Sequence, residues 1–237
     1  MANFKMHLGV AAIGSGMVAT LCLGAGLASV QEVAILSLLG TIGGLLPDID
    51  LDHSTPTRLM FTALGLLLAF LAMFFKAAHY SVLELWLVWG ATYLAVRYLA
   101  WRMFSDLTSH RGIFHSLAAA LFFCFLGTAI AYHQFDAPRL TAWLVGFFLL
   151  LGYIIHLALD EIYSVDFENR RLKRSFGTAL KLIDSRHLNN SGMMLGFVLL
   201  LFFMTPDFSP VTDALSNANT WQQLGSHLLP QGTWFAL

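Results

Sequence analysis

Histidine and aspartate side chains gather in three short stretches of this 237-residue chain. In chain order, the stretches contain Asp48, Asp50, Asp52 and His53; His110 and His115, with Arg111 between them; and His156 and Asp160. Ionisable groups are costly to bury in apolar surroundings unless a partner or a metal ion neutralises them. Imidazole and carboxylate together suit zinc and similar divalent ions. We therefore expect the fold to bring these stretches together around metal.

The third stretch has helical spacing. His156 and Asp160 lie four residues apart, so their side chains share one face of a predicted helix, about one turn apart. Such a pair can hold one metal ion, or Asp160 can orient the imidazole of His156 from outside the coordination sphere. The structural alternative is a helix-end pair that only forms a hydrogen bond. Because ionisable residues inside membrane segments are rare and usually functional, the pattern favours a functional pair.

The second stretch predicts a turn. His110 and His115 are five residues apart, a spacing that does not place both on one face of a continuous helix. Gly112 permits a turn between them, so we expect His110 to come from a loop and His115 from the first helical turn. Ser116 or Ser109 is the expected cap of that helix.

Arg111 lies between these two histidines. Its fixed charge suits an anionic substrate such as a phosphate. Anchoring to lipid headgroups is the alternative reading of this arginine.

The first stretch alternates acidic and apolar residues. After Pro47, an extended backbone would direct Asp48, Asp50 and Asp52 to the same side. Three carboxylates on one side repel each other unless a cation holds them, whereas a calcium-like or purely polar loop is the alternative. We expect Asp48 and Asp50 to be metal ligands. A carboxylate not bound to metal, Asp52 or Asp50, is the expected general base.

His7, at the start of the first apolar segment, completes the candidate set. The predicted metal ligands are His7, Asp48, Asp50, His110, His115, His156 and Asp160. A zinc site needs three or four ligands, so seven favour two ions, or one ion with supporting residues around it. The expected ion is zinc, with manganese as the alternative, and the expected chemistry is metal-assisted hydrolysis. His53 and His187 are weaker candidates.

The composition places these residues in a membrane protein. Of the side chains, 57% are hydrophobic and 11% are charged, whereas soluble chains carry about a quarter charged residues. Apolar segments lie near 8–29, 32–46, 59–76, 83–100, 113–132, 140–159 and 189–205. The second and seventh are short, and either can be re-entrant instead of spanning. The sequence thus predicts an all-α polytopic membrane protein with about six to seven transmembrane helices.

The remaining organisation follows from these segments. We expect one transmembrane domain over 1–205 and an extracytoplasmic tail over 206–237. The net charge of −1 argues against nucleic acid as a structural partner, because binding it needs a basic face. The oligomeric state is left open.

The basic residues predict the orientation. If all seven segments span, only Lys76 and Arg139 of the 13 Lys and Arg residues fall on the side opposite the N-terminus. The positive-inside rule makes the N-terminal side cytoplasmic. The same alternation places every candidate ligand on that face, and His79, His133 and His227 on the other. A re-entrant second segment would leave His7 opposite the other ligands.

Residues 161–188 form the longest predicted cytoplasmic loop. Leu172, Phe176, Leu180 and Ile183 fall at helical spacing, opposite basic residues that include Arg171. This pattern predicts an amphipathic helix on anionic headgroups, with membrane lipids as partners. A basic loop that only fixes the topology is the alternative.

The order of the motifs resembles that of a known family. Leu-Pro-Asp-Ile-Asp, His-Arg-Gly-x-x-His-Ser and Gly-Tyr-x-x-His-Leu-x-x-Asp, after an N-terminal histidine, are similar to the YdjM/YbcI-like family of predicted bacterial inner-membrane metal-dependent hydrolases. The resemblance runs from His7 to Asp160. It implies a multi-pass protein of the bacterial inner membrane, with the seven predicted ligands at the family's presumed metal-binding positions. The family is distantly similar to zinc-dependent phospholipase C and P1-type nucleases, which points to phosphoesters.

Three functions fit these residues. The first is a membrane-embedded hydrolase that acts at the cytoplasmic face on an anionic or amphipathic substrate, such as a lipid-linked phosphoester. The second is a transporter for protons or divalent metal, and the third is a structural protein with a stabilising metal site. Because a carrier needs its site near the middle of the membrane, and every candidate lies at a segment end, the sequence favours the enzyme.

Overall fold

Most of the described chain is helical, and its only strands form one short ladder. The computed structural model describes residues 4–50, 61–62, 65–66, 68–70, 72–74, 80–100, 102, 114–166, 171–172, 181–182 and 188–228. Within these residues, five helices are long and apolar enough to cross a membrane. A sixth span is formed if the bent pair Leu188–Met204 and Ser209–Ser216, which meet at 76°, counts as one. The predicted all-α polytopic membrane fold is confirmed.

The elements follow the predicted segments closely. In chain order they are α1 (Phe4–Gly24), α2 (Val30–Gly43), a 3₁₀ helix (Leu46–Asp50), α3 (Val82–Leu94), a π-helix (Ala95–Ala100), α4 (Leu117–Phe135), α5 (Arg139–Ile162), β1 (Val165–Asp166), β2 (Arg171–Leu172), α6 (Leu188–Met204), α7 (Ser209–Ser216) and α8 (Ala218–Leu228). The segment predicted near 59–76 lies partly outside the described residues, and its described residues are helical.

The chain divides into two compact units. The first comprises Met1–Pro47 and His115–Leu237, and the second comprises Asp48–Phe114. Helix α3 and the π-helix belong to the second unit, where Ser81 and Glu84 form a capping box at the start of α3. The other numbered helices and the β-ladder belong to the first unit. The prediction of a single domain over 1–205 stays a prediction.

Short-range signals fix the helix boundaries in the first unit. Ser29 and Glu32 form a capping box at the start of α2, and the Ser116 side chain accepts a hydrogen bond from Ala119 N–H at the start of α4. Asp136 ends α4 in the left-handed conformation with φ 49°, which Asp tolerates better than most residues. These caps satisfy backbone groups that would otherwise be exposed to lipid.

The helices of the first unit place their termini in two groups, one at each end of the unit. Helices α1 and α4 begin, and α2 and α5 end, at one end of the unit, where the His7 imidazole lies 3.3 Å from the Asp160 carboxylate. At the other end, Thr141 near the start of α5 donates a hydrogen bond to Glu32 near the start of α2. We call these the histidine end and the far end.

Small residues bring α1, α2 and α5 into close contact. The buried residues of α1 are His7, Ala11, Ser15 and Ala19, each four positions apart. A Cβ added to Gly40 of α2 would collide with Ser15. In membranes, such small residues let helix backbones approach closely. His7 therefore begins the same buried stripe through which α1 packs against its neighbours.

The acidic stretch is not extended where it is described. Leu46–Asp50 forms a 3₁₀ helix, so the predicted extended backbone is wrong for these residues. Pro47 is well suited to the first turn of a helix, where no N–H is needed. A 3₁₀ helix has three residues per turn, so the backbone of Leu46–Asp50 does not follow the two-residue repeat of a strand.

The loop after α5 also differs from its prediction. Arg171 and Leu172 pair with Asp166 and Val165 in an antiparallel ladder. The carbonyls of Lys181 and Leu182 accept hydrogen bonds from the first backbone N–H groups of α4, which have no partner within their own helix. These residues are not helical, so the predicted amphipathic helix does not include them. The rest of that helix lies outside the described residues.

Candidate metal centre

Four buried side chains converge at the histidine end of the first unit. His7 comes from the first turn of α1, His115 directly precedes the Ser116 cap of α4, and His156 and Asp160 come from the last turns of α5. Their exposed fractions are 1%, 3%, 0% and 6%. We call these four side chains the histidine–aspartate cluster. Its members come from α1, α5 and the residue before the cap of α4, so only the folded bundle assembles it.

The Asp160 carboxylate is the centre of the cluster. Its Oδ1 lies 3.3 Å from Nε2 of His7, and its Oδ2 lies 3.7 Å from Nε2 of His115 and 3.8 Å from Nε2 of His156. The last pair follows from the i,i+4 spacing on α5. One carboxylate therefore has an imidazole nitrogen on three sides.

A backbone carbonyl fixes the ring of His156. Its Nδ1 lies 2.8 Å from the carbonyl oxygen of Gly44, the C-cap residue of α2. Because a carbonyl only accepts hydrogen bonds, Nδ1 carries the proton in this contact. In the neutral ring, Nε2 then offers its lone pair on the side of Asp160. A hydrogen bond to the second ring nitrogen is how proteins orient a metal-bound histidine.

This contact bears on the role of Asp160. The sequence allows the carboxylate either to bind metal or to orient the imidazole of His156 from outside. The orienting bond is made by Gly44 at Nδ1, whereas Asp160 lies on the Nε2 side. The geometry favours Asp160 as a ligand.

His7 packs face to face with His156. The ring centroids are 3.7 Å apart and the planes differ by 12°. Nε2 of His7 faces Asp160, while its buried Nδ1 has no hydrogen-bond partner among the described residues. Whichever nitrogen carries the proton, the described chain supplies a partner for only one of them. Buried ring nitrogens are normally hydrogen-bonded, and an ion on the Nε2 side would leave this Nδ1 without a partner among the described residues.

The donor set fits a divalent metal ion. Two ligands of one tetrahedral zinc ion, each bonded at about 2.0–2.1 Å, lie about 3.3 Å apart, as His7 Nε2 and Asp160 Oδ1 do at 3.3 Å. One ligand atom from each of His7, His156 and Asp160 lies within 4.8 Å of the others. Three imidazoles and one carboxylate match the nitrogen and oxygen ligands that zinc accepts.

The fold brings together four of the seven predicted ligands. His7, His115, His156 and Asp160 meet at one end of the bundle, as the predicted alternation of spans requires. His115 lies just before the helix and not in its first turn, because Ser116 is the cap; the capping role predicted for Ser116 is confirmed.

The other predicted site residues are not tested by this geometry. Asp48 belongs to the second unit, and only the backbone of Asp50 is described. Asp52, His53, His110, Arg111 and His187 lie outside the described residues. Their roles stay predictions.

The sequence prediction missed the backbone that supports the cluster. The carbonyl of Gly44 and the close approach of Gly40 and Gly152 determine where His156 lies. Gly40 and Gly44 form a Gly-x-x-x-Gly pattern, which indicates close helix packing in membranes. That pattern in the sequence predicts a close helix contact at the end of α2, although it does not show which helix makes the contact.

Two of the other histidines have ordinary partners. His133 Nε2 lies 2.8 Å from the carbonyl of Met204, and His227 Nδ1 lies 2.8 Å from the carbonyl of Gln223. Both side chains are exposed. They lie away from the cluster, as predicted.

Comparison with known protein families identifies the family of this chain. The model of the family described as YdjM inner membrane protein matches residues 6–205, a range that contains the whole cluster. No curated protein and no solved structure shows significant similarity to the chain.

Proposed function

We propose that this chain, which belongs to the YdjM inner membrane protein family, is a membrane-embedded metal-dependent hydrolase. One observation carries the proposal: a buried carboxylate with three imidazole nitrogens at 3.3, 3.7 and 3.8 Å. Burying a carboxylate is costly unless cations or hydrogen-bond donors compensate it. The cluster therefore supports a site built to hold a cation.

A divalent ion held there would supply a Lewis acid that activates water and polarises a substrate oxygen. The protein side chains have separate tasks. His7, His115 and Asp160 would present ligand atoms, while the bond to Gly44 holds His156 with Nε2 on the side of Asp160, where it would be the fourth ligand atom. The near-complete burial of all four side chains would strengthen their electrostatic interactions with the ion.

The remaining predicted residues extend this proposal to substrate and reaction. Asp48, Asp50 and His110 would complete the ligand set, with one or two ions, zinc or manganese. Asp50 or Asp52 would act as general base, and Arg111 would bind an anionic group. The motif resemblance favours a phosphoester or lipid-linked substrate, and the distribution of basic residues favours a site facing the cytoplasm.

The proposed activity is testable with the purified full chain in lipid nanodiscs. Hydrolysis of a nitrophenyl phosphomonoester, a nitrophenyl phosphodiester and phospholipids would be followed with added zinc or manganese, with chelator, and after metal is restored. We expect turnover of at least one ester that chelator abolishes and metal restores. His156→Ala should be inactive, and the matched variant His133→Ala should keep full activity.

The same preparation separates the alternatives. Bound metal without turnover of any ester, together with zinc flux into proteoliposomes, would reject the hydrolase in favour of a carrier. Bound metal with neither turnover nor flux would leave a stabilising metal site.

A further inference from the structure

Helices α2 and α5 touch backbone to backbone beside the histidine–aspartate cluster. A Cβ added to Gly152 would collide with the carbonyl oxygen of Gly40 and would lie 2.6 Å from the backbone nitrogen of Gly44. Backbone atoms of two helices have little room to shift away from such a contact. Gly152 is thus a position at which any side chain forces the helices apart.

This contact lies one helical turn from a cluster residue. His156 follows Gly152 by four residues on the same face of α5, and its Nδ1 lies 2.8 Å from the carbonyl oxygen of Gly44. The N–H of Gly44 bonds to the carbonyl of Gly40, 3.1 Å away. Its own carbonyl lies at the helix C-terminus, where carbonyls have no partner within the helix. The end of α2 therefore offers an acceptor to His156 only while α5 stays this close.

The ring proton of His156 depends on that acceptor. A neutral imidazole carries its proton on either nitrogen, and the hydrogen bond made by one nitrogen decides which. With Nδ1 donating to Gly44, the lone pair of Nε2 lies on the side of Asp160, 3.8 Å away. Separating the helices by about an ångström would lengthen the bond beyond hydrogen-bonding range.

We propose that Gly152 is a positioning residue: its contact with Gly40 and Gly44 holds the His156 proton on Nδ1 and so presents Nε2 as the ligand atom. This proton position is a property of the metal-free protein and can be measured without metal. Its consequence for metal affinity rests on the proposed metal site.

The test compares two glycine variants of the full chain in nanodiscs. Gly152→Ala disturbs the contact near His156. Gly146→Ala is the matched control, because a Cβ there would collide with Thr128 and with the carbonyl of Cys124, away from the cluster. Nitrogen NMR of metal-free, ¹⁵N-histidine-labelled protein reports the protonated ring nitrogen, and the His156 signals are assigned by their loss in His156→Gln. Zinc affinity is measured by competition with a chelator.

We expect only the Nδ1–H form of His156 in the wild type and in Gly146→Ala, and a mixture of both forms in Gly152→Ala. Zinc affinity should fall roughly 10- to 100-fold in Gly152→Ala, the usual effect of losing a partner that orients a ligand. It should stay near the wild-type value in Gly146→Ala.

Other outcomes overturn the proposal. An Nε2–H ring in the wild type removes its premise, and equal behaviour of the two glycine variants makes Gly152 a packing residue only. If Gly152→Ala does not fold, the wild type is measured with the carbonyl of Gly44 labelled with ¹³C. A coupling between the Nδ1 proton of His156 and that carbonyl supports the contact. Absence of this coupling rejects it. A wild type that shows the Nδ1–H form but binds no divalent metal keeps the positioning role and rejects the proposed function.

Discussion

Polar side chains at the two ends of the first unit differ in burial and in their hydrogen-bond partners. At the far end, the Glu32 carboxylate accepts hydrogen bonds from the Thr141 hydroxyl at 2.9 Å and from the Ser29 N–H at 2.8 Å. His133 lies within hydrogen-bonding distance of the carbonyl of Met204. These side chains are partly or fully exposed. Each of these polar groups therefore has an ordinary protein partner near the surface.

At the histidine end, the polar groups converge and are buried. The Asp160 carboxylate is surrounded by the imidazoles of His7, His115 and His156, and all four residues are at most 6% exposed. Buried groups of this type are normally paired by local hydrogen bonds or coordinate metals. Helix capping and packing therefore explain the far end, whereas the histidine end needs a cation or shared protons.

Removing the central carboxylate should have the largest effect on metal binding. In Asp160→Asn, the ligand charge is lost while the size of the side chain is kept. The free energy of zinc binding to a four-ligand structural site is about 10–16 kcal/mol, or about 3–4 kcal/mol per ligand, so affinity should fall roughly 100- to 1000-fold. Chelator competition measures the affinity, and elemental analysis measures the bound metal.

Glu32→Gln is the matched change at the far end. It should leave metal content and affinity at wild-type values. Equal loss of metal in both variants, or no loss in either, would contradict metal binding at the histidine end alone.

Metal should stabilise the protein through the histidine end alone. Zinc at 100 times its dissociation constant adds about 2.7 kcal/mol to the free energy of unfolding, which corresponds to a rise of about 5–10 °C in Tm for a chain of this size. Differential scanning fluorimetry in nanodiscs, with and without chelator, measures this shift. His7→Ala should abolish it, whereas His133→Ala should retain it; the reverse pattern would place the metal at the far end.

The smallest effect is expected from the far-end hydrogen bond. Thr141→Val removes the hydroxyl that donates to Glu32 and should lower the free energy of unfolding by about 1 kcal/mol, the usual contribution of one such bond. Thermal unfolding measures the loss, and zinc affinity is the second readout. A change in zinc affinity above threefold would show that the two ends are coupled.

The sequence predicts most of the helices and part of the histidine–aspartate cluster. Apolar runs define the helices because a span needs about 20 apolar residues, whatever they pack against. The alternation of spans then brings His7 to the same end as His156, since each span reverses the direction of the chain. The i,i+4 spacing of His156 and Asp160 is local and needs no tertiary information.

Other features depend on information that hydropathy and spacing do not carry. The bond from His156 to Gly44 involves a backbone carbonyl, which every residue has, so no side-chain pattern marks it. The approach of Gly152 to Gly40 depends on which helices become neighbours. The alternating aspartates fit an extended strand, yet Pro47 fits equally well at the start of a helical turn, and the structure contains the 3₁₀ helix.

X-ray absorption of the zinc-loaded full chain tests whether the histidine–aspartate cluster binds the ion, because it reports the atoms bonded to zinc. We predict about three imidazole nitrogens at about 2.0–2.1 Å and carboxylate oxygen at about 2.0–2.2 Å, with one imidazole fewer in His156→Ala. A wild-type chain that retains no zinc, or a zinc shell without histidine, would show that the cluster is not a zinc site.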